Sequence, residues 1–262
     1  MKKISLIIIS CITLSACITS AMAQTKKKLV WSDEFNYKGL PDSTKWSYDV
    51  GGSGWGNNEL QYYTLKQEGN ARVENGLLII EAKKENIEKN AYSSARLVTK
   101  GKGDWTYGHI DVKARLPKGV GTWPAIWMLG STTPLKWPDD GEIDIMEHVG
   151  YNHGVIHGTT HSRKYFHGIG TQKSATTSIP DCSEAFHVYS MDWDAESITM
   201  LIDNKPYFNF RNEHTGNDAW PFNKPFHLLL NIAIGGNWGG QKGVDDTIFP
   251  QKMEIDYVRV YQ

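Results

Sequence analysis

Gly141-Glu142-Ile143-Asp144-Ile145-Met146-Glu147-His148 is the stretch on which the reading of this chain turns. In a β-strand, residues two apart share a face. Glu142 and Asp144 therefore point one way, and Ile143 and Ile145 point the other way, into a core. Strict alternation would then place Met146 among the acids and drive Glu147 into the apolar layer, at a cost of roughly several kcal/mol for an unpaired charge. One extra residue at Ile145-Met146, a β-bulge, resets the phase. Met146 then joins the core and Glu147 returns to the face of Glu142 and Asp144. The pattern predicts a bulged strand with three aligned carboxylates, half-buried against a core.

The same reading extends in both directions. Leu77–Ala82, Gly108–Arg115, Ala125–Leu129, Glu142–Glu147, Val155–Thr160, His187–Trp193, Ser197–Ile202, His227–Ile234 and Lys252–Tyr261 are rich in Val, Ile, Thr and aromatics, with Gly, Pro, Asn and Asp clusters between them. Lys252–Tyr261 alternates cleanly, Met253, Ile255 and Tyr257 opposing Glu254 and Asp256. No stretch carries a long, capped helical pattern. The expected fold is all-β, an antiparallel β-sandwich of the jelly-roll type, whose two curved sheets bury a core and leave a concave groove.

A chain of 262 residues holds one sizeable domain and a short leader. Met1-Lys2-Lys3, the apolar run Leu6–Ile9 and the small residues that follow read as an export signal over residues 1–23. Ala21-Met22-Ala23 before Gln24 fits a standard signal peptidase. Leu14-Ser15-Ala16-Cys17 fits a lipobox, which would leave a lipid anchor on Cys17, and both readings stay open. Residues 24–28 form a short basic linker, and residues 29–262 a single domain. The destination is outside the cytoplasm: secreted, periplasmic or anchored at the outer membrane. Of three cysteines, only Cys182 belongs to the domain on either reading, so an internal disulfide is excluded.

Charge bears on the partner. Without Lys2 and Lys3 the chain has 26 basic against 29 acidic residues and no Lys/Arg-dense stripe, so the electrostatic footprint of a nucleic-acid binder is missing. Ten Trp and twelve Tyr are many, and several lie beside Gly and Asn, a setting that suits stacking on sugar faces.

A row of like charges is unfavourable because each raises the pKa of the next. Glycoside hydrolysis uses that property: it needs one ionised carboxylate and one protonated acid across the scissile bond. Glu142 and Glu147 would sit four strand positions apart, with Cα atoms about 13 Å from each other, so their long side chains must lean together. The plain alternative is a solvated strand face with its acids paired to Lys or Arg. The need for a bulge and the neighbouring motifs speak against it.

From WSDEFN at Trp31, through GGSGWGNNELQYYT (Gly51–Thr64), GHIDVKARLPKGVGTWPAIWML (Gly108–Leu129), the carboxylate strand and LNIAIGGNWGG (Leu230–Gly240), to EIDYVRVYQ at the end, the sequence resembles family 16 of the glycoside hydrolases, of the bacterial laminarinase, or endo-β-1,3-glucanase, type. The resemblance implies a jelly roll and a retaining, two-step mechanism that needs no cofactor. Glu142 would be the nucleophile, Asp144 would hold a proton or hydrogen bond between the glutamates, and Glu147 would be the acid and base. The Met146 bulge resembles laminarinases, agarases and carrageenases rather than lichenases. The implied substrate is β-1,3-glucan, with mixed-linkage glucan beside it. A galactan-active hydrolase of the same fold and a non-catalytic β-glucan-binding module are the competing readings; loops near Trp55 and Trp238 would decide the first.

Trp123 and Trp127, four apart on one strand, share a face, and the resemblance places them in the cleft. Trp238, set among glycines, belongs on a rim. Asn57 and Arg96 occupy family-like positions where they would donate to sugar hydroxyls or hold a loop. His153, His157 and His161 recur every four residues, which on a helix would suggest zinc. On a strand they span too far to converge. His161 resembles a family histidine beside the carboxylates, and His148, of opposite parity to Glu147, reads as structural. The resemblance also implies a structural calcium ion, with Asp256 as carboxylate ligand and Glu34 and Gly76 as carbonyl donors. The alternative is Asp256 paired with a base such as Arg259. The expected working form is a monomer.

Overall fold

The computed structural model describes residues 27–262. The leader at 1–23, both cleavage readings and Cys17 lie outside the described residues. Within them the chain is almost all strand, broken by three short 3-10 turns.

Two sheets face each other. The first contains β1 (Leu29–Asp33), β3 (Gln61–Tyr63), β4 (Ala71–Glu74), β5 (Leu77–Ile87), β6 (Asn90–Ser94), β9 (Gly108–Arg115), β14 (His187–Trp193), β15 (Ser197–Ile202), β16 (Lys205–Arg211) and β18 (Gln251–Tyr261). The second contains β2 (Ser47–Asp49), β7 (Arg96–Val98), β8 (Asp104–Trp105), β10 (Thr122–Gly130), β11 (Glu142–His148), β12 (Val155–His161), β13 (Lys173–Ser178) and β17 (Phe226–Ile234). Its order is β13-β12-β11-β10-β17-β7-β2, so the carboxylate strand lies inside the sheet rather than at an edge. All ladders are antiparallel except β3 with β6. This is the sandwich of the jelly-roll class.

One core fills the space between the sheets. Ile110, Val112 and Ala114 of β9 and Met253, Ile255, Val258 and Val260 of β18 meet Ile126 and Met128 of β10, Ile143 of β11 and Leu228, Leu230 and Ile232 of β17. β9 follows period 2 throughout, its even-numbered residues buried and its odd-numbered ones half-exposed. β17 is buried on both faces, because Asn231 and Ala233, on the face away from the core, form the floor of a cleft.

The bulge in β11 is present. Toward β10, Met146 pairs with Ile126 and Asp144 with Trp127, leaving Ile145 without a partner. Toward β12, the register jumps between Asp144↔Thr159 and Glu147↔His157, so Ile145 and Met146 oppose Gly158 alone. Both are fully buried in the core. The Ile145 carbonyl that the bulge frees accepts the Tyr207 hydroxyl from β16 at 2.7 Å, so no buried acceptor is orphaned. Gly158 makes room for that tie, since a Cβ there would come within 2.7 Å of the Tyr207 oxygen. Gly141 turns the chain into β11 at φ +81°, against Phe226 and Pro221, where a side chain would be both strained and crowded.

Candidate active site

The cleft crosses the outer face of the second sheet. Glu142 and Glu147 line both of its halves. One half is walled by Trp55, Asn57, Arg96, Trp127 and Asn231, the other by Trp123, His157, Gln172 and Trp238. β12 sets a second row beside the acids: His161 opposite Glu142, Thr159 opposite Asp144, His157 opposite Glu147.

Glu142 and Glu147 each receive one indole N–H. Trp137 Nε1 donates to Glu142 Oε2 at 2.9 Å, and Trp123 Nε1 donates to Glu147 Oε1 at 2.9 Å. His161 Nε2 stands 3.6 Å from Glu142 Oε1 and 3.4 Å from Asp144 Oδ2. Burial lifts all three acids. Glu142 is pushed up to about 8, with the Asp144 charge adding to burial, while His161, the Trp137 N–H and Arg96 oppose the rise. Asp144 is pushed up to about 8 by burial, opposed by a hydrogen bond with Glu142. Glu147 rises well above the usual range through burial and then the Asp144 charge, its Trp123 hydrogen bond notwithstanding.

The three titrate as one unit. Of the three, Glu142 has the most groups favouring its ionised form: His161, the Trp137 N–H and Arg96. Burial and the Asp144 charge favour the protonated form of Glu147. Two glutamates with raised pKa values stand on the same cleft wall.

The remaining residues singled out in the sequence fall as follows. Trp123 and Trp127 share the cleft face, and each also anchors a polar side chain. Trp123 holds Glu147, and Trp127 Nε1 donates to Asn231 Oδ1 at 2.7 Å. Arg96 is clamped between the rings of Trp55 and Trp127 and reaches Asp49 at 3.0 Å. Asn57 lies in the floor where the halves meet and donates to Glu59 at 3.3 Å. Trp238 packs perpendicular to Trp123 and to His157. His148 is fully buried, and its Nε2 accepts the Gly154 N–H at 3.1 Å, a structural role. His153 lies beside it, away from His157 and His161.

The sequence reading missed a polar network beneath the first half-cleft. Asn231 Nδ2 donates to Tyr63 Oη at 3.0 Å, Tyr63 approaches Glu59, and Gln61 donates to Glu59 at 2.6 Å and accepts the Ile234 N–H at 2.7 Å. Burial raises Glu59, and the hydrogen bonds from Gln61 and Asn57 hold it back. The parity of Glu59, Gln61 and Tyr63 is the signal that could have exposed this network. Trp137 was missed as well; it sits in a loop, where no periodicity marks it.

By strand register, the calcium donors that the resemblance implies fall near one junction. β18 pairs with β5 as far as Ile255↔Leu78, and with β1 from Val258↔Asp33. Asp256 and Tyr257 lie in the gap, next to the β4–β5 turn at Gly76 and the end of β1 at Glu34. The Glu34 side chain binds Arg259 at 2.7 and 2.9 Å, leaving only its carbonyl for a metal. Asp256 pairs with Lys113 at 2.7 Å, not with Arg259. A cation held by Asp256 would have to displace the Lys113 ammonium.

A sandwich whose cleft carries two glutamates on one wall, each bound by an indole N–H, fits a carboxylate-dependent glycoside hydrolase. Known proteins similar to this chain agree. The family model "Glycosyl hydrolases family 16" matches residues 58–259. A β-glucanase from Rhodothermus marinus is 55% identical over 90% of this chain and 85% of its own length. The structure of the Rhodothermus marinus laminarinase superposes with a TM-score of 0.89 at 53% identity, covering 90% of this chain and 98% of that one. A non-specific endo-β-1,3(4)-glucanase of family 16, co-crystallised with a glucan oligosaccharide, superposes at 0.88 with 49% identity, covering 91% of this chain and 95% of that one. The chain belongs to glycoside hydrolase family 16.

Proposed function

We infer that the protein hydrolyses β-1,3-glucosidic bonds inside laminarin-type glucans, with retention at the anomeric carbon and with mixed-linkage β-1,3-1,4-glucan as a second substrate. The observation that carries the reading is the pairing of Glu142 and Glu147 on one cleft wall, each with its own indole donor. The relatives at 49–55% identity are a β-glucanase, a laminarinase and a non-specific endo-β-1,3(4)-glucanase, which favours glucan over galactan and cleavage over binding alone.

The glycan lies across the strands with its scissile bond over the row. Glu142 attacks C1 and Glu147 protonates the departing oxygen, leaving a glycosyl ester on Glu142. Water enters, Glu147 takes its proton, and the ester C–O bond breaks. Asp144, between the two, passes its hydrogen bond to Glu142 as that charge comes and goes. Arg96, Asn57 and the flanking tryptophans hold the sugars, and no cofactor takes part. Laminarin assayed beside lichenan, agarose and carrageenan tests this: early release of short oligosaccharides from laminarin is expected. Cleavage of a galactan alone would overturn the substrate, and binding without cleavage would overturn the activity.

A structural calcium ion belongs to the same reading. Asp256 and the carbonyls of Glu34 and Gly76 would hold it and tie β1 and the β4–β5 turn to β18. Added calcium should raise Tm over chelator-treated protein, and an unchanged Tm would remove it. We also propose export through the leader, with or without a lipid on Cys17, and action as a monomer; intact mass of the mature protein and its sedimentation test both.

A further inference from the structure

His157 stands directly across the ladder from Glu147, on the cleft side of β12. It faces the half-cleft of about 390 Å³ that Gln172, Asn237 and Trp238 also line. The two halves are lined by different polar groups. Beneath the first, polar atoms are tied to one another through Trp127, Asn231, Tyr63, Glu59 and Gln61. In the second, His157 Nε2 and Gln172 Oε1 are sealed from solvent without a hydrogen-bond partner.

The imidazole of His157 is perpendicular to the Trp238 indole at 89°, with ring centroids 4.8 Å apart. With the rings perpendicular, an N–H on the sealed Nε2 has an aromatic ring beside it, whereas a bare Nε2 has no donor. That assigns the proton to Nε2 and leaves Nδ1, which is not sealed, as an acceptor. Burial lowers the His157 pKa, which keeps the ring in this neutral form.

We propose that His157 is a specificity-determining residue for the leaving-group side of the cleft, where its Nδ1, oriented by Trp238, accepts a hydroxyl of the sugar that Glu147 protonates away. The inference rests on the glucanase reading above. The half-cleft with clamped Arg96 and a closed network holds the sugar that becomes attached to Glu142. The half with open polar atoms next to the acid receives the sugar that departs.

The test compares two substrates: a laminari-oligosaccharide, whose leaving group is a sugar, and a 4-nitrophenyl β-laminaribioside, whose leaving group is an aryl alcohol. His157→Phe keeps the ring against Trp238 and removes both nitrogens. It should lower kcat/KM on the oligosaccharide about 10-fold, the worth of one hydrogen bond, and leave the aryl substrate within about 2-fold. His157→Asn, whose Oδ1 mimics Nδ1, should restore much of the loss, and His157→Gln, which mimics Nε2, should not. Equal losses on both substrates, or rescue by Gln and not Asn, would overturn the inference. A wild-type protein that cleaves neither substrate would remove the glucanase reading and this inference with it.

Discussion

The outer faces of the two sheets both carry rows of ionisable side chains, and they treat charge in opposite ways. On the first sheet the rows alternate in sign. Lys113 pairs with Asp256, Arg115 with Glu254, Arg259 with Glu34, and His109 with Asp111 and Asp192. Two of the acids fall below their ordinary range: Glu34 through its Arg259 hydrogen bond, Asp192 to about 2 through its His109 hydrogen bond. Burial pushes Asp111 up, but hydrogen bonds from His109 and Ser190 outweigh it. On the second sheet three acids share one row with no Lys or Arg within ion-pair distance, and all three rise. A compensated row stabilises a fold, whereas an uncompensated one stores protons for chemistry.

The comparison breaks first at the glutamates. Glu142→Gln and Glu147→Gln should each lower laminarin hydrolysis by at least about 10³-fold, read by reducing-end release. Near-normal activity in either variant would mean that the row is not the site.

Next comes the indole on the nucleophile. Trp137→Phe removes the donor to Glu142, raises that group further and should cost about 10-fold in kcat/KM, the low end for a hydrogen bond to a charged group. The acid limb of the pH profile should move upward. An unshifted limb would take Glu142 out of that role.

Tyr207 joins the two faces, reaching from β16 to the carbonyl left free by the β11 bulge. Tyr207→Phe should destabilise the fold by about 1–3 kcal/mol, the cost of an unsatisfied buried acceptor, measured by denaturant unfolding. It should also lower activity by loosening the acids, and an unchanged stability would mean that the bulge does not depend on this tie.

The smallest effects test the sign of the comparison. Asp144 has a folded pKa near 8, above its unfolded value, so its contribution is fully present below about pH 4 and is lost as pH rises through about 8. Asp144→Asn should therefore gain Tm over wild type as pH rises from 5 to 9. Asp192, held down to about 2, contributes above its unfolded pKa and loses that contribution as pH falls toward 2. Asp192→Asn should lose at most about 1 kcal/mol at pH 7, because the pair is half-exposed. Equal pH profiles for the two variants would erase the distinction.

What was legible in the sequence was local and periodic. The bulge followed from one broken alternation at Ile145-Met146, β18 from period 2, and β9, β14 and β15 from β-rich runs set between turn residues. The short strands Ser47–Asp49, Gln61–Tyr63 and Arg96–Val98 escaped notice, because three residues are too few to show a period. The Glu59–Tyr63–Asn231 network escaped for another reason: Tyr63 and Asn231 meet across 168 positions of chain. His157 was visible only as one of three evenly spaced histidines. Its partnership with Glu147 depends on the ladder register, which the bulge itself resets by one residue.

The most direct test is to trap the glycosyl-enzyme. A 2-deoxy-2-fluoro β-laminaribiosyl fluoride reacts with a retaining nucleophile and hydrolyses slowly, and proteolysis followed by mass spectrometry locates the sugar. The account predicts one adduct, on the peptide containing Glu142, formed with loss of activity. An adduct on Glu147 or elsewhere, or hydrolysis with inversion and no adduct, would contradict it.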